Sequence, residues 1–229
     1  MKKSTKLILI ILVIIILISL VFLIVKFLSK PEYTLKDITS LIKAPQFTDN
    51  MYVKIESIST NHPNNSNSGV ILEEFYILGN KQYLTTKSND NLTQAELIDY
   101  DSKTEIQIDY TYKKINCFNV LKSDNPIILH ITSSITSYIG ILNTAKNYKY
   151  LGMETLNNIE YIKFSINNEL TYYINSQTNY IDKIEAYEGE NLVWTLNYTY
   201  SYNTVTEDNI LKFDINNYPD YEYIDSTIF

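Results

Sequence analysis

Three patterns of apolar and polar positions follow one another along the chain. Residues 7–25 (LILIILVIIILISLVFLIV) are apolar apart from Ser19. Residues 34–43 and 126–143 repeat apolar positions at three- and four-residue steps. Most of the remainder alternates apolar and polar positions between turns rich in Asn, Asp and Gly. These patterns predict a helix without a polar face, two amphipathic helices, and strands of a sheet with one wet face.

The nineteen residues of the first run would extend roughly 29 Å as a helix, about the hydrocarbon thickness of a bilayer. Lys2, Lys3 and Lys6 precede it, and Lys26 and Lys30 follow. The bias of positive charge places the N-terminus in the cytoplasm and the body of the chain outside. A cleavable leader would be shorter and would end in a small-x-small site, which residues 26–31 lack. A lipoprotein leader would need a cysteine there, and the single cysteine is Cys117. The expectation is therefore a plasma-membrane protein with an uncleaved single-pass anchor over residues 1–30. Residues 7–25 contact the bilayer, and residues 31–229 form one extracytoplasmic domain.

After Pro31, Thr34 stands as an N-cap with Asp37 three residues on. Leu35, Ile38, Leu41 and Ile42 share a face, which predicts a short helix over about 34–43. Strands follow at 51–58, 70–78, 81–87, 92–100 and 104–112, the 70–78 and 81–87 pair meeting at Gly79-Asn80. In the last of these, Ile106, Ile108, Tyr110 and Tyr112 alternate with polar residues. Asn125 and Pro126 open a helix over 126 to about 143, with Asn125 as its cap. The chain then returns to strands separated by Asn157-Asn158, Asn167-Asn168, residues 176–179 and residues 188–191. The clearest strand aligns Leu192, Trp194, Leu196, Tyr198, Tyr200 and Tyr202 on one face. The tail 216–229 is acidic, Tyr-rich and without period, and either packs as an extended edge or stays loose. The fold class is α+β, an antiparallel meander with a few covering helices.

Charge narrows the function. Five lysines flank the apolar run, leaving 14 of the 19 against all 26 carboxylates, a net charge of about −12 beyond residue 30. Such a surface excludes nucleic acid as a partner. Every basic residue is lysine, and Asn, Ile and Tyr abound, which fits an AT-rich bacterial genome. One cysteine permits no internal disulfide.

Residues 151–161 (LGMETLNNIEY) and 171–184 (TYYINSQTNYIDKI) resemble the G-x-E-T-x-N-G-x-x-Y and Y-x-I-x-x-x-T-x-x-I-x-K-I patterns of the LolA/LolB-like superfamily of bacterial lipoprotein carriers. RseB-type sensors and LppX-type lipoproteins share that superfamily. The resemblance implies a strongly curved antiparallel sheet, a half-barrel, whose open side is plugged by helices over a cavity for an acyl chain. Two departures stand against carrying over the shuttle mechanism. Those carriers are released, whereas this chain is read as tethered, and the arginine that controls the carrier's lid has no counterpart here.

No motif for hydrolysis, metal binding or phosphate binding occurs, so no catalytic residue, metal or cofactor is expected. His62 lies in a polar loop. His130 sits mid-helix without an acidic residue four positions away. Glu73 and Glu74 point to opposite faces of a strand. Phe164, Tyr172, Ile174, Leu192, Trp194, Leu196 and Tyr198 have two readings: plain core, or the lining of an apolar cavity. The function expected is non-enzymatic binding or handling of a lipid, a lipoprotein or another apolar envelope molecule. The alternative is a sensor or interaction module that docks an envelope protein and takes no small ligand.

Overall fold

A computed structural model describes residues 15–21, 33–60, 68–121 and 125–227. Of the apolar run only 15–21 is described; it is helical (α1) and its side chains are exposed. The rest of the expected anchor, its flanking lysines and His62 lie outside the described residues. Among the described residues no helix is long and apolar enough to cross a membrane.

The second helix, α2 (Leu35–Leu41), begins as its sequence predicts. The Asp37 N–H donates to Thr34 Oγ1 at 3.2 Å, and Asp37 Oδ2 accepts the Thr34 N–H at 2.8 Å. Two of the N–H groups a helix start leaves open are thereby satisfied.

Among the described residues, twelve strands form one sheet. The first six are β1 (Asn50–Ser59), β2 (Gly69–Leu78), β3 (Lys81–Ser88), β4 (Asn91–Asp99), β5 (Thr104–Asp109) and β6 (Lys114–Asn119). After α3 (Pro126–Asn143) come β7 (Tyr148–Leu156), β8 (Ile159–Ile166), β9 (Leu170–Asn175), β10 (Ile181–Glu188), β11 (Asn191–Tyr202) and β12 (Glu222–Asp225). The spatial order is β12-β6-β5-β4-β3-β2-β1-β11-β10-β9-β8-β7. Two antiparallel meanders thus join where β1 pairs with β11, and among the described strands β12 alone pairs parallel, on β6. Asparagine makes the tight turns: Asn157 and Asn158 (φ 51° and 65°), and Asn167 and Asn168 (φ 53° and 57°), take the left-handed backbone that two-residue hairpins require.

Register decides which face each side chain joins. Met51, Val53 and Ile55 stand beside Tyr202, Tyr200 and Tyr198 on one side and beside Ile77, Phe75 and Glu73 on the other. This face carries the main core, which α2 enters through Ile38 and α3 through its isoleucines. Across β3–β6 the polarity inverts. The same face now shows Leu84, Glu96, Gln107 and Asn116, and the opposite face shows Thr85, Ala95, Ile108 and Ile115. The chain end covers that opposite face. Leu211, Phe213, Tyr218 and Tyr221 pack on Ala95, Ile108 and Ile115 as a second core. Of the two expectations for the tail, the packed edge holds for residues up to 227.

Two expectations are corrected. The strand predicted over 104–112 stops at Asp109, because Asp109 Oδ1 accepts the N–H groups of Thr111 and Tyr112 and bends the chain. Lys113 (φ 52°) completes the reversal into β6, a strand the alternation did not reveal. Asn125 precedes α3 but does not cap it by side chain. Its Oδ1 accepts instead from Gln82 Nε2 at 3.0 Å and from the Tyr100 hydroxyl at 3.3 Å. Both donors come from largely buried residues that have more to lose without a partner than a helix end near water.

Candidate functional site

The topology places a helix over the apolar face. Strand β6 lies toward one end of the sheet and β7 at the other, so the connection between them must cross the strands. Pro126 starts α3, and Ile127, Ile131, Ile135 and Leu142 fall on one side of it and are buried.

Contacts at near-regular steps follow α3 across the sheet. Asn125 meets Gln82 of β3, and His130 Nε2 lies 3.5 Å from Glu73 of β2 with its ring 5.8 Å from Phe75. Ser134 Oγ is hydrogen-bonded to the Tyr198 hydroxyl of β11 at 2.8 Å. The Tyr172 hydroxyl of β9 donates to the Tyr138 carbonyl at 3.2 Å. The Tyr138 ring lies on Trp194 of β11, centroids 6.0 Å apart.

Six of the seven residues singled out in the sequence meet on this face. Phe164, Tyr172 and Ile174 are fully buried, Leu196 and Tyr198 nearly so, and Trp194 packs against them partly buried. Phe164 and Tyr172 stack at 5.2 Å with planes 4° apart. Leu192 lies at the margin, beside the turn that opens β11, and is half-buried. The Tyr200 hydroxyl is buried without a hydrogen-bond partner. Burial raises the phenols of Tyr172, Tyr198 and Tyr200 far above the ordinary tyrosine range, so they stay neutral.

Beside the apolar region, over β3–β6, the same face holds a polar cavity of about 210 Å³. Thr86, Gln94, Glu96, Gln107, Asp109 and Asn116 line it above Leu84. Burial, and then the neighbouring Glu105, push the Glu96 carboxyl up to about 7, against a smaller opposing effect of His130. His130 is raised chiefly by its hydrogen bond to Glu73, with burial working against it. A third feature is a cleft of about 250 Å³ beside β10, whose pairing with β11 begins only at Asn197. Tyr161, Tyr180, Asp182 and Tyr200 are among the residues that line it.

Sequence reasoning missed the meeting of Glu73, Glu96 and His130. The available signal was position: Glu73 and Glu96 occupy strand positions whose register neighbours include Ile55 and Leu84, an inward setting rare for carboxylates. The prediction that Glu73 and Glu74 diverge holds. Glu74 turns away to the Tyr52 hydroxyl at 2.9 Å and Lys87 Nζ at 2.7 Å. Among the described residues no three His, Cys, Asp or Glu side chains are grouped to hold a metal.

No family model matches the chain, and no curated protein matches it. Among solved structures it is similar to the Mycobacterium tuberculosis lipoprotein LppX, at 11% identity over 69% of this chain and 88% of that one, with a TM-score of 0.35. It is also similar to a DUF1329 family protein from Desulfovibrio piger, at 8% identity over 80% and 95%, with a TM-score of 0.28. At such scores neither likeness bears on the function of this chain.

Proposed function

We propose that this chain is a membrane-tethered, extracytoplasmic, non-enzymatic domain that holds an apolar chain of a lipid or lipoprotein between α3 and the aromatic face of β8–β11. The observation that carries this reading is the seam itself. An 18-residue helix with no charge besides His130 lies over an apolar, Tyr-rich face. Few polar contacts pin it there, so prising it away breaks few hydrogen bonds and exposes surface that an acyl chain would cover again.

Three further points support it. Thirteen residues of α3, about 20 Å long, link contacts that lie five strand steps apart, about 24 Å along the sheet. A chord shorter than its arc fits a sheet that curls toward the helix as a half-barrel. The unpartnered Tyr200 hydroxyl gives the interior a polar point that a carbonyl of a bound lipid would satisfy. The apolar run at 7–25, with lysines at both ends, supplies the tether, and residues 151–184 carry the superfamily's turn pattern.

The test is extraction of the full chain, expressed in bacteria and purified in nanodiscs of a defined synthetic lipid, followed by mass spectrometry. A stoichiometric co-purified lipid absent from empty nanodiscs is expected. An interior that is empty and takes up no added lipid overturns the reading.

A further inference from the structure

The outward face of α3 is unlike the rest of the surface. Charged residues make up 20% of the chain, yet this face has none. Leu129, Ser133, Ser137 and Ile141 form an exposed row at four-residue steps, Leu129 being 62% exposed and Ile141 37%. His130, the one residue on α3 able to carry charge near neutral pH, turns to Glu73.

Two hydroxyls on this face are already satisfied within the helix. Thr136 Oγ1 donates to the Thr132 carbonyl at 2.8 Å, and Ser137 Oγ donates to the Ser133 carbonyl at 2.7 Å. Helices in lipid satisfy Ser and Thr in the same way, which makes such a face inexpensive to dehydrate.

The described domain also begins at this place. Tyr33 packs into the main core on the α3 side, its carbonyl accepting from the Tyr148 hydroxyl at 2.9 Å. Tyr148 opens β7, just past the C-terminal end of α3. Only seven residues, 26–32, separate Tyr33 from the apolar run, a reach of at most about 25 Å. A tether that short holds the α3 side toward the bilayer. The rest of the domain is acidic and is repelled by anionic headgroups, which leaves the uncharged helix as the face that can approach them.

We infer that α3 lies with its Leu129–Ile141 row against the outer surface of the membrane that anchors the chain. This rests on the tether proposed above and deepens it: the helix over the apolar interior is also the element in contact with lipid, so an acyl chain would pass from bilayer to interior at its edge without crossing water.

The experiment uses full-length chains carrying Ser133→Cys, Ser137→Cys or, as a control over the opposite face, Lys212→Cys. Each is labelled with an environment-sensitive fluorophore and reconstituted into phosphatidylcholine–phosphatidylglycerol vesicles. Flotation that resists carbonate tests the tether, and the emission tests the docking. A blue shift and quenching by brominated lipid at 133 and 137, with neither at 212, supports the inference. Flotation with water-exposed emission at 133 and 137 overturns the docking alone, and failure to float overturns the tether. Protection at 133 and 137 that survives in detergent and disappears on dilution marks a second copy on this face and also overturns it.

Discussion

Trp194 of β11 lies on Tyr138 of α3, ring centroids 6.0 Å apart and planes within 24°. The indole N–H donates back to Ser57 of β1 at 2.6 Å, so the sheet holds one edge of the ring and the helix covers its face. Trp194 is the single tryptophan of the chain. It therefore reports on the helix–sheet seam without any substitution.

The seam's strength is open to direct measurement at Tyr198. Tyr198→Phe removes the hydrogen bond to Ser134 and little packing. The expected cost is about 0.5–1.5 kcal/mol, the usual net worth of such a bond. Amide exchange should speed up along α3 and stay unchanged in β2–β4. Uniform acceleration across the sheet would show that the bond does not hold the helix in particular.

The partly buried carboxyl at Glu96 predicts a pH dependence. Its folded value of about 7 lies above the ordinary 4.5, so the folded state holds this proton more tightly than the unfolded chain. The resulting stabilisation is complete below about 4.5 and is lost as pH rises to about 7, a loss of roughly 3 kcal/mol. Glu96→Gln should flatten that part of the stability–pH curve and be the more stable protein above pH 7. His130, also raised, contributes in the same direction but is half exposed. Its pair with Glu73 is worth less than about 1 kcal/mol, present below its unfolded value and lost as pH rises through the folded one. Denaturant titrations of the wild type, Glu96→Gln and His130→Gln from pH 4 to 9 check both.

The tail is fastened at Asn50. Asn50 Nδ2 donates to the Val205 carbonyl at 2.9 Å, and Asn50 Oδ1 accepts the Val205 N–H at 3.0 Å. One side-chain amide thus satisfies both backbone groups of a nearly buried residue. Asn50→Ala should cost about 1–3 kcal/mol. Limited proteolysis should then cut first between residues 203 and 221 and expose Ile108 and Ile115, with aggregation following. Unchanged proteolysis would show that the second core holds the tail unaided.

Local patterns made much of the fold legible in advance. The bounds of α3 follow from Pro126 and the isoleucine period, and the hairpins from Asn pairs that tolerate a left-handed backbone. The capping box of α2 follows from Thr34 and Asp37. What escaped depends on distant partners. Ile106 and Ile108 announce an apolar face, but not that the cover comes from Phe213 and Tyr218, about a hundred residues on and without period. Asn125 looks like a cap until Gln82 and Tyr100 arrive from β3 and the β4–β5 turn. Of the candidate site, the aromatic row of β11 was visible from its alternation. The convergence of Glu73 and Glu96 near His130 was not, because it arises only when β2 and β4 are brought under one helix.

The most direct test of a lipid chain held beneath α3 is quenching of Trp194. The full chain in nanodiscs of unbrominated lipid is titrated with a fatty acid dibrominated at mid-chain. Saturable loss of tryptophan fluorescence is expected, reversed by excess unbrominated fatty acid, because the bromines come to rest where Tyr138 meets the indole. Fluorescence that stays constant to saturation of the nanodisc, with the fatty acid shown to be present in it, would mean that no lipid chain lies beneath α3.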